Sequence, residues 1–241
     1  DYLLIPDLTV AEMEEIEDAV QRMGYSGLVT HIGGLATYPA MIPETYGLGF
    51  VLDTMPHEWV HDFLAFYPLG WAYGTSGELT TMNETVADIV GEEIGQHLAR
   101  RYYPEHVRKP QPSPPPAPQP SEPPLFSFGA FMRETRLRTD DLLAQGRVDE
   151  AEAYMEQRRL ELQEHGYYIR KLNQAYFAFH GSYATGPGAV DPIGPQLQKL
   201  RQASASLRDF LFTVARMDSY DDLVRVVGTP EPTRTPTPAM P

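Results

Sequence analysis

The chain has 241 residues, which suits one domain or one domain with a smaller helical companion. Its formal net charge of −14 argues against nucleic acid as a partner, because phosphate binding needs a basic face. It contains no cysteine, which excludes disulfides, thiolate chemistry and cysteine-held zinc.

A hydrophobic fraction of 42% supports a true core, and no apolar run approaches the length of a membrane span. No signal peptide is visible, and the chain starts at Asp1 rather than at methionine. A processed form or a fragment is therefore expected; membrane association, if any, would come only through a segment not present in this chain.

The first element is "TVAEMEEIEDAVQRMG", an amphipathic helix with Thr9 as N-cap and Gly24 as its stop. Its acids Glu12, Glu14, Glu15, Glu17 and Asp18 read as a solvated face. "SGLVTHIGGLATY" reads as a short apolar strand ending in a glycine turn, and "LGFVLD", 48–53, as a second strand. "TMPHEWVHDFLAF" starts a helix, with Thr54 as cap and Pro56 in the first turn. Trp59 and Val60 should face the core. A further helix runs through "TMNETVADIVGEEIGQHLARRYY", where Val86, Ile89, Val90, Ile94 and Leu98 recur at helical spacing.

Proline sets the boundaries. "PQPSPPPAPQPSEPP", 110–124, is too proline-rich for helix or sheet and reads as an extended linker. Residues 125–228 look almost wholly helical, with stops at Gly146 and Gly166. The Pro/Thr-rich tail, 229–241, reads as disordered. Its composition suits a surface stalk and favours an extracytoplasmic or membrane-anchored location over a cytoplasmic one. The expected fold is α+β: a small β-sheet with two metal-bearing helices in 1–109, a mostly α-helical bundle in 125–228, and an active-site cleft between them.

The chemistry concentrates in "MPHEWVHDFL" and "NETVAD". Residues four apart on a helix share a face, so His57 and His61 can aim two imidazoles at one zinc ion. Glu58, about a third of a turn round, can reach a water without being a ligand. A catalytic zinc needs a third protein ligand and one open position. Glu84 can supply the ligand, and Asp88, four residues on, can accept a hydrogen bond from a ligating histidine and fix its tautomer. Plainer uses exist for each: histidines packing on a half-buried helix, Glu84 closing a capping box with Thr81, Asp88 as an ordinary helix residue. Their joint occurrence in this order favours one metal site. His31, His97, His106 and His165 receive no role.

"HEWVH" followed by "NETVAD" resembles the gluzincin zinc metallopeptidases, whose pattern is H-E-x-x-H and then E-x-x-x-D on a second helix. The metzincin extension is not met, since Leu64 and Tyr67 stand where Gly and His would be needed. With its helical second half and "LNQAYFAFHGSYA", the chain is similar to a bacterial aminopeptidase-like group. The strong motif covers only about 57–88. The resemblance implies Zn²⁺ as cofactor, His57, His61 and Glu84 as ligands, Glu58 as general base and acid, and Asp88 behind a ligand histidine. It implies a peptide or protein substrate and an oxyanion stabiliser from the helical half. The candidates are Tyr167, Tyr168, Tyr176, His180 and Tyr183, with Tyr168 or Tyr167 preferred. "HIGGLATYP" reads either as a substrate-pairing edge strand, with Gly33 and Gly34 allowing close approach, or as an ordinary turn. No G-x-M-E-N motif is present to hold a free amine. Glu44 or Glu78 could substitute, but nothing singles one out. The rival expectation is a non-catalytic surface or scaffold protein on a peptidase-like fold.

Overall fold

Thr9 caps the first helix as expected. Its side chain accepts from the Glu12 N–H while Glu12 bonds back to the Thr9 N–H, and α1 runs Val10–Arg22. Gly24 then takes a left-handed φ of 85° that ends it. The computed structural model describes residues 2–106, 126–181, 183–184 and 190–228. The expected linker, 110–124, and tail, 229–241, lie outside the described residues.

The α+β expectation is overturned. The described residues are 66% helical and contain no sheet. Their only β pairing is one isolated antiparallel bridge between Leu35 and Met41. "LGFVLD" is not a strand but the first turns of α2, Leu48–Leu64, capped by Gly47 rather than Thr54. A short apolar run does not distinguish a strand from a buried helical turn. Pro56 consequently sits inside α2, not in its first turn. The stretch from Ser26 to Val29 has no strand partner either. Its polar groups are taken by distant side chains: Asn173 donates to the Gly27 carbonyl, Arg170 to the Val29 carbonyl, and the Val29 N–H donates to Glu17.

Glu17 also departs from expectation. It is 1% exposed, not solvated, and is held by Arg170 and Lys171. Burial pushes its carboxyl up, but Arg170, the Val29 N–H and Lys171 outweigh this and hold it below the usual carboxylate range. Trp59 is 49% exposed and stacks on Phe63, whereas Val60 is fully buried.

A short helix α3, Pro68–Trp71, leads into α4, Gly77–Tyr102, capped by Ser76. Thr81 is therefore inside α4 and caps nothing, which removes the capping-box use of Glu84. α2 and α4 form the main helix pair. Gly91 and Gly95 let the backbones close: a Cβ at Gly91 would stand 2.6 Å from the Asp53 carbonyl oxygen, and one at Gly95 2.8 Å from that of Leu52. The Leu52 carbonyl is the one that Pro56, lacking an N–H, leaves without its helical donor.

After the proline-rich stretch come α5 (Phe128–Ala144), α6 (Val148–Glu164), α7 (Gln174–Gly181), α8 (Ile193–Ala203), α9 (Leu207–Ala215) and α10 (Tyr220–Val227). Buried side chains gather in two clusters. In the larger, Val60, Leu64, Met82, Val86 and Val90 meet Leu197, Phe210 and Leu223, so α8–α10 cover the α2–α4 pair. The smaller joins Met132, Met155, Leu162, Leu172 and Phe177 of α5–α7 and their connections. No described helix is long and apolar enough to cross a membrane.

Candidate metal centre and cleft

The i,i+4 spacing puts His57 and His61 on the face of α2 that meets α4, where Glu84 projects between them. His57 Nε2 and His61 Nε2 are 3.1 Å apart, and Glu84 Oε2 lies 3.6 and 3.4 Å from them. The other ring nitrogens are engaged. His57 Nδ1 is 3.1 Å from Asp88 Oδ1, and His61 Nδ1 is 2.8 Å from Asn83 Oδ1. Asn83 Nδ2 donates to the Leu69 carbonyl, which leaves its oxygen toward His61. With acceptors at both Nδ1 positions, each ring presents an Nε2 lone pair inward.

Glu84 is oriented too. Tyr73 donates to its Oε1 at 2.7 Å, while its buried Oε2 has no hydrogen-bond partner. A buried carboxylate oxygen without a donor is costly unless a cation compensates it. Ligands about 2.0–2.2 Å from a tetrahedral ion stand roughly 3.3–3.6 Å apart, the range these three atoms occupy to within about 0.2 Å. The donor set of two imidazoles and one carboxylate therefore fits a divalent ion of zinc's size and preferences.

The electrostatics agree. Burial opposes a charge on His57, yet Asp88 and Glu84 raise its pKa to about 9. Burial would raise Glu84, but His57, His61 and Tyr73 hold it far below the usual carboxylate range. This concave group of lone pairs favours positive charge, and protein alone can provide it only as a proton.

Glu58 is buried beside this group. Burial raises its pKa, tempered by the charges of His57 and His61. Its carboxylate is roofed by backbone: a Cβ on Gly34 would lie 2.3 Å from Glu58 Oε1. A side chain at that position would have to displace the Glu58 carboxylate. The "HIGGLATYP" segment crosses the site without a sheet, its turn closed by the Leu35–Met41 bridge.

A cleft of about 360 Å³ opens over these groups. Its walls come from residues 34–36, α2, the α2–α4 connection and α4; among the described residues of the second half, Tyr183 lines it. His57, Glu58, His61 and Glu84 line it, and Asp88 sits behind His57. Tyr167 and Tyr168, the preferred oxyanion candidates, are elsewhere. Tyr167 stacks on Phe128 at 4.8 Å, and Tyr168 is 83% exposed. Tyr183 instead has its ring 6.2 Å from that of His57. Burial raises its phenol, and the charges of Glu84, Asp88 and Glu58 add to this. Glu44 is exposed outside the cleft, and Glu78 lines a separate hollow with Asp218 and Asp221.

Sequence reasoning gave no role to Asn83 or Tyr73. Asn83 could have been found by its place one residue before Glu84. Nothing in the sequence marks Tyr73. No protein-family model, curated protein or solved structure matches the chain.

Proposed function

We propose that the protein is a zinc-dependent peptidase. The observation that carries this reading is the convergence of three lone pairs, from His57, His61 and Glu84, beside a buried glutamate that is not one of the three. A zinc ion held there would supply Lewis acidity toward a carbonyl and would acidify water. Asp88 and Asn83 fix the two histidine tautomers, and Tyr73 turns the Glu84 carboxylate inward. Glu58, its pKa raised by burial, takes a proton from the attacking water and delivers it to the leaving amine. Tyr183 stays protonated and donates a hydrogen bond to the oxyanion that develops on the substrate carbonyl.

Elemental analysis tests the site: one zinc per chain is expected for wild type and none for Glu84→Ala. Glu58→Gln should keep the zinc and lose peptide cleavage by roughly 10²–10⁴-fold. Equal cleavage by Glu58→Gln would refute the mechanism. Bound zinc with no turnover across a broad peptide library would favour the scaffold reading.

A further inference from the structure

What the cleft offers a substrate beyond the reacting bond narrows the choice of peptide. Apart from Tyr73 and Tyr183, the ionisable groups among its described lining residues are His57, Glu58, His61 and Glu84, all assigned above to the ion or to proton transfer. Beside them the wall is neutral: Leu35 and Ala36 on the crossing segment, Ala65 at the end of α2 and Gly70 in α3 are apolar, and the Asn83 amide is engaged by His61. Gly70 cannot grow, because a Cβ there would stand 2.0 Å from the Leu64 carbonyl oxygen. Ala65 is the C-cap of α2 and exposed. The small side chains of Ala36 and Ala65 leave the lining open to an uncharged side chain.

The termini of a peptide are its charged parts. An enzyme acting from an end must pair that charge, since an ammonium or carboxylate taken from water without a partner is disfavoured. Here no described lining residue is free for it. The two acids considered for this role, Glu44 and Glu78, are outside the cleft.

Building on the peptidase reading, we infer that the site takes the uncharged interior of an extended chain, seats an apolar side chain against Leu35, Ala36, Ala65 and Gly70, and cleaves internal bonds rather than removing terminal residues. Water adds across the amide, the C–N bond breaks, and a carboxylate and an amine leave; no other reactant is needed.

The test uses the full-length, zinc-loaded protein and two internally quenched peptides of one Ala/Leu/Gly sequence. One carries an N-acetyl and a C-amide group, the other free termini. The blocked peptide should be cut internally with kcat/KM within about threefold of the free one. Stepwise release of residues from the free peptide alone would overturn the inference while leaving the peptidase reading intact. Failure to cut either peptide, with zinc bound, would overturn both. Ala65→Phe should narrow this part of the cleft and lower the ratio of kcat/KM for a Leu-containing peptide over its Gly counterpart by about tenfold, with zinc content retained. An unchanged ratio in zinc-loaded Ala65→Phe would remove Ala65 from the recognition surface.

Discussion

Replacing Glu17 with Gln tests how the cover of the cleft is anchored. The Glu17 carboxylate is fully buried, accepts the Val29 N–H at 2.7 Å and two contacts from Arg170, and lies 3.3 Å from Lys171. Glutamine preserves the shape but turns an amide donor toward a guanidinium and removes the charge. Removing one partner of a buried pair typically costs about 3–5 kcal/mol. Here Arg170 and Lys171 are each 26% exposed in their side chains and can recover some water. The expected loss is therefore about 2–4 kcal/mol. For a chain of this size that corresponds to a fall in Tm of roughly 4–16 °C, read by calorimetry at pH 7. The pH dependence has a definite sign. The folded-state pKa of Glu17 is depressed, so its contribution is present above the ordinary value of 4.5 and is lost as pH falls through the folded value. The gap between wild type and variant should thus narrow on acidification below about pH 4.5. Superimposable melts at neutral pH, or a gap that widens in acid, would refute the reasoning.

Gly34→Ala should force the crossing segment and the Glu58 carboxylate apart, lowering kcat by roughly 10²-fold while zinc content stays at one per chain; unchanged kcat would dismiss the contact. Asp88→Ala and Asn83→Ala should each weaken zinc binding by about 10–100-fold in competition with a chelating indicator, because each frees an Nδ1 that now has an acceptor. Tyr183→Phe should reduce kcat by about 10²–10³-fold with little change in KM, whereas Tyr168→Phe, at an exposed position, should match wild type.

The residues of the candidate metal centre were legible because their geometry is local. Four-residue spacing fixes His57 with His61 and Glu84 with Asp88 on helix faces whatever else the chain does. The α+β expectation failed where the signal was short. "LGFVLD" is equally apolar as a strand or as a helix start, and only its packing on Gly91 and Gly95 decides. Glu17 looked like one acid among five, since its partner is 153 residues away. In the sequence Tyr183 is one of several candidate aromatics; Tyr167 and Tyr168, preferred there, do not line the cleft. Which aromatic reaches the cleft depends on how the second half docks against α4, where the Ala184 N–H donates to Thr85.

The two sides of the cleft differ in how far apart their parts lie along the chain. Asn83 follows His61 by only 22 residues, so bringing the α2 and α4 donors together closes a short loop at small entropic expense. The segment above Glu58 is held through Arg170, 141 residues beyond Val29, and can dock only after the second half is in place. Folding should accordingly bring the lone pairs of His57, His61 and Glu84 together before the Glu58 carboxylate is sheltered, an order that pulse-labelled hydrogen exchange would register as early protection in α2 and α4 and late protection at Val29.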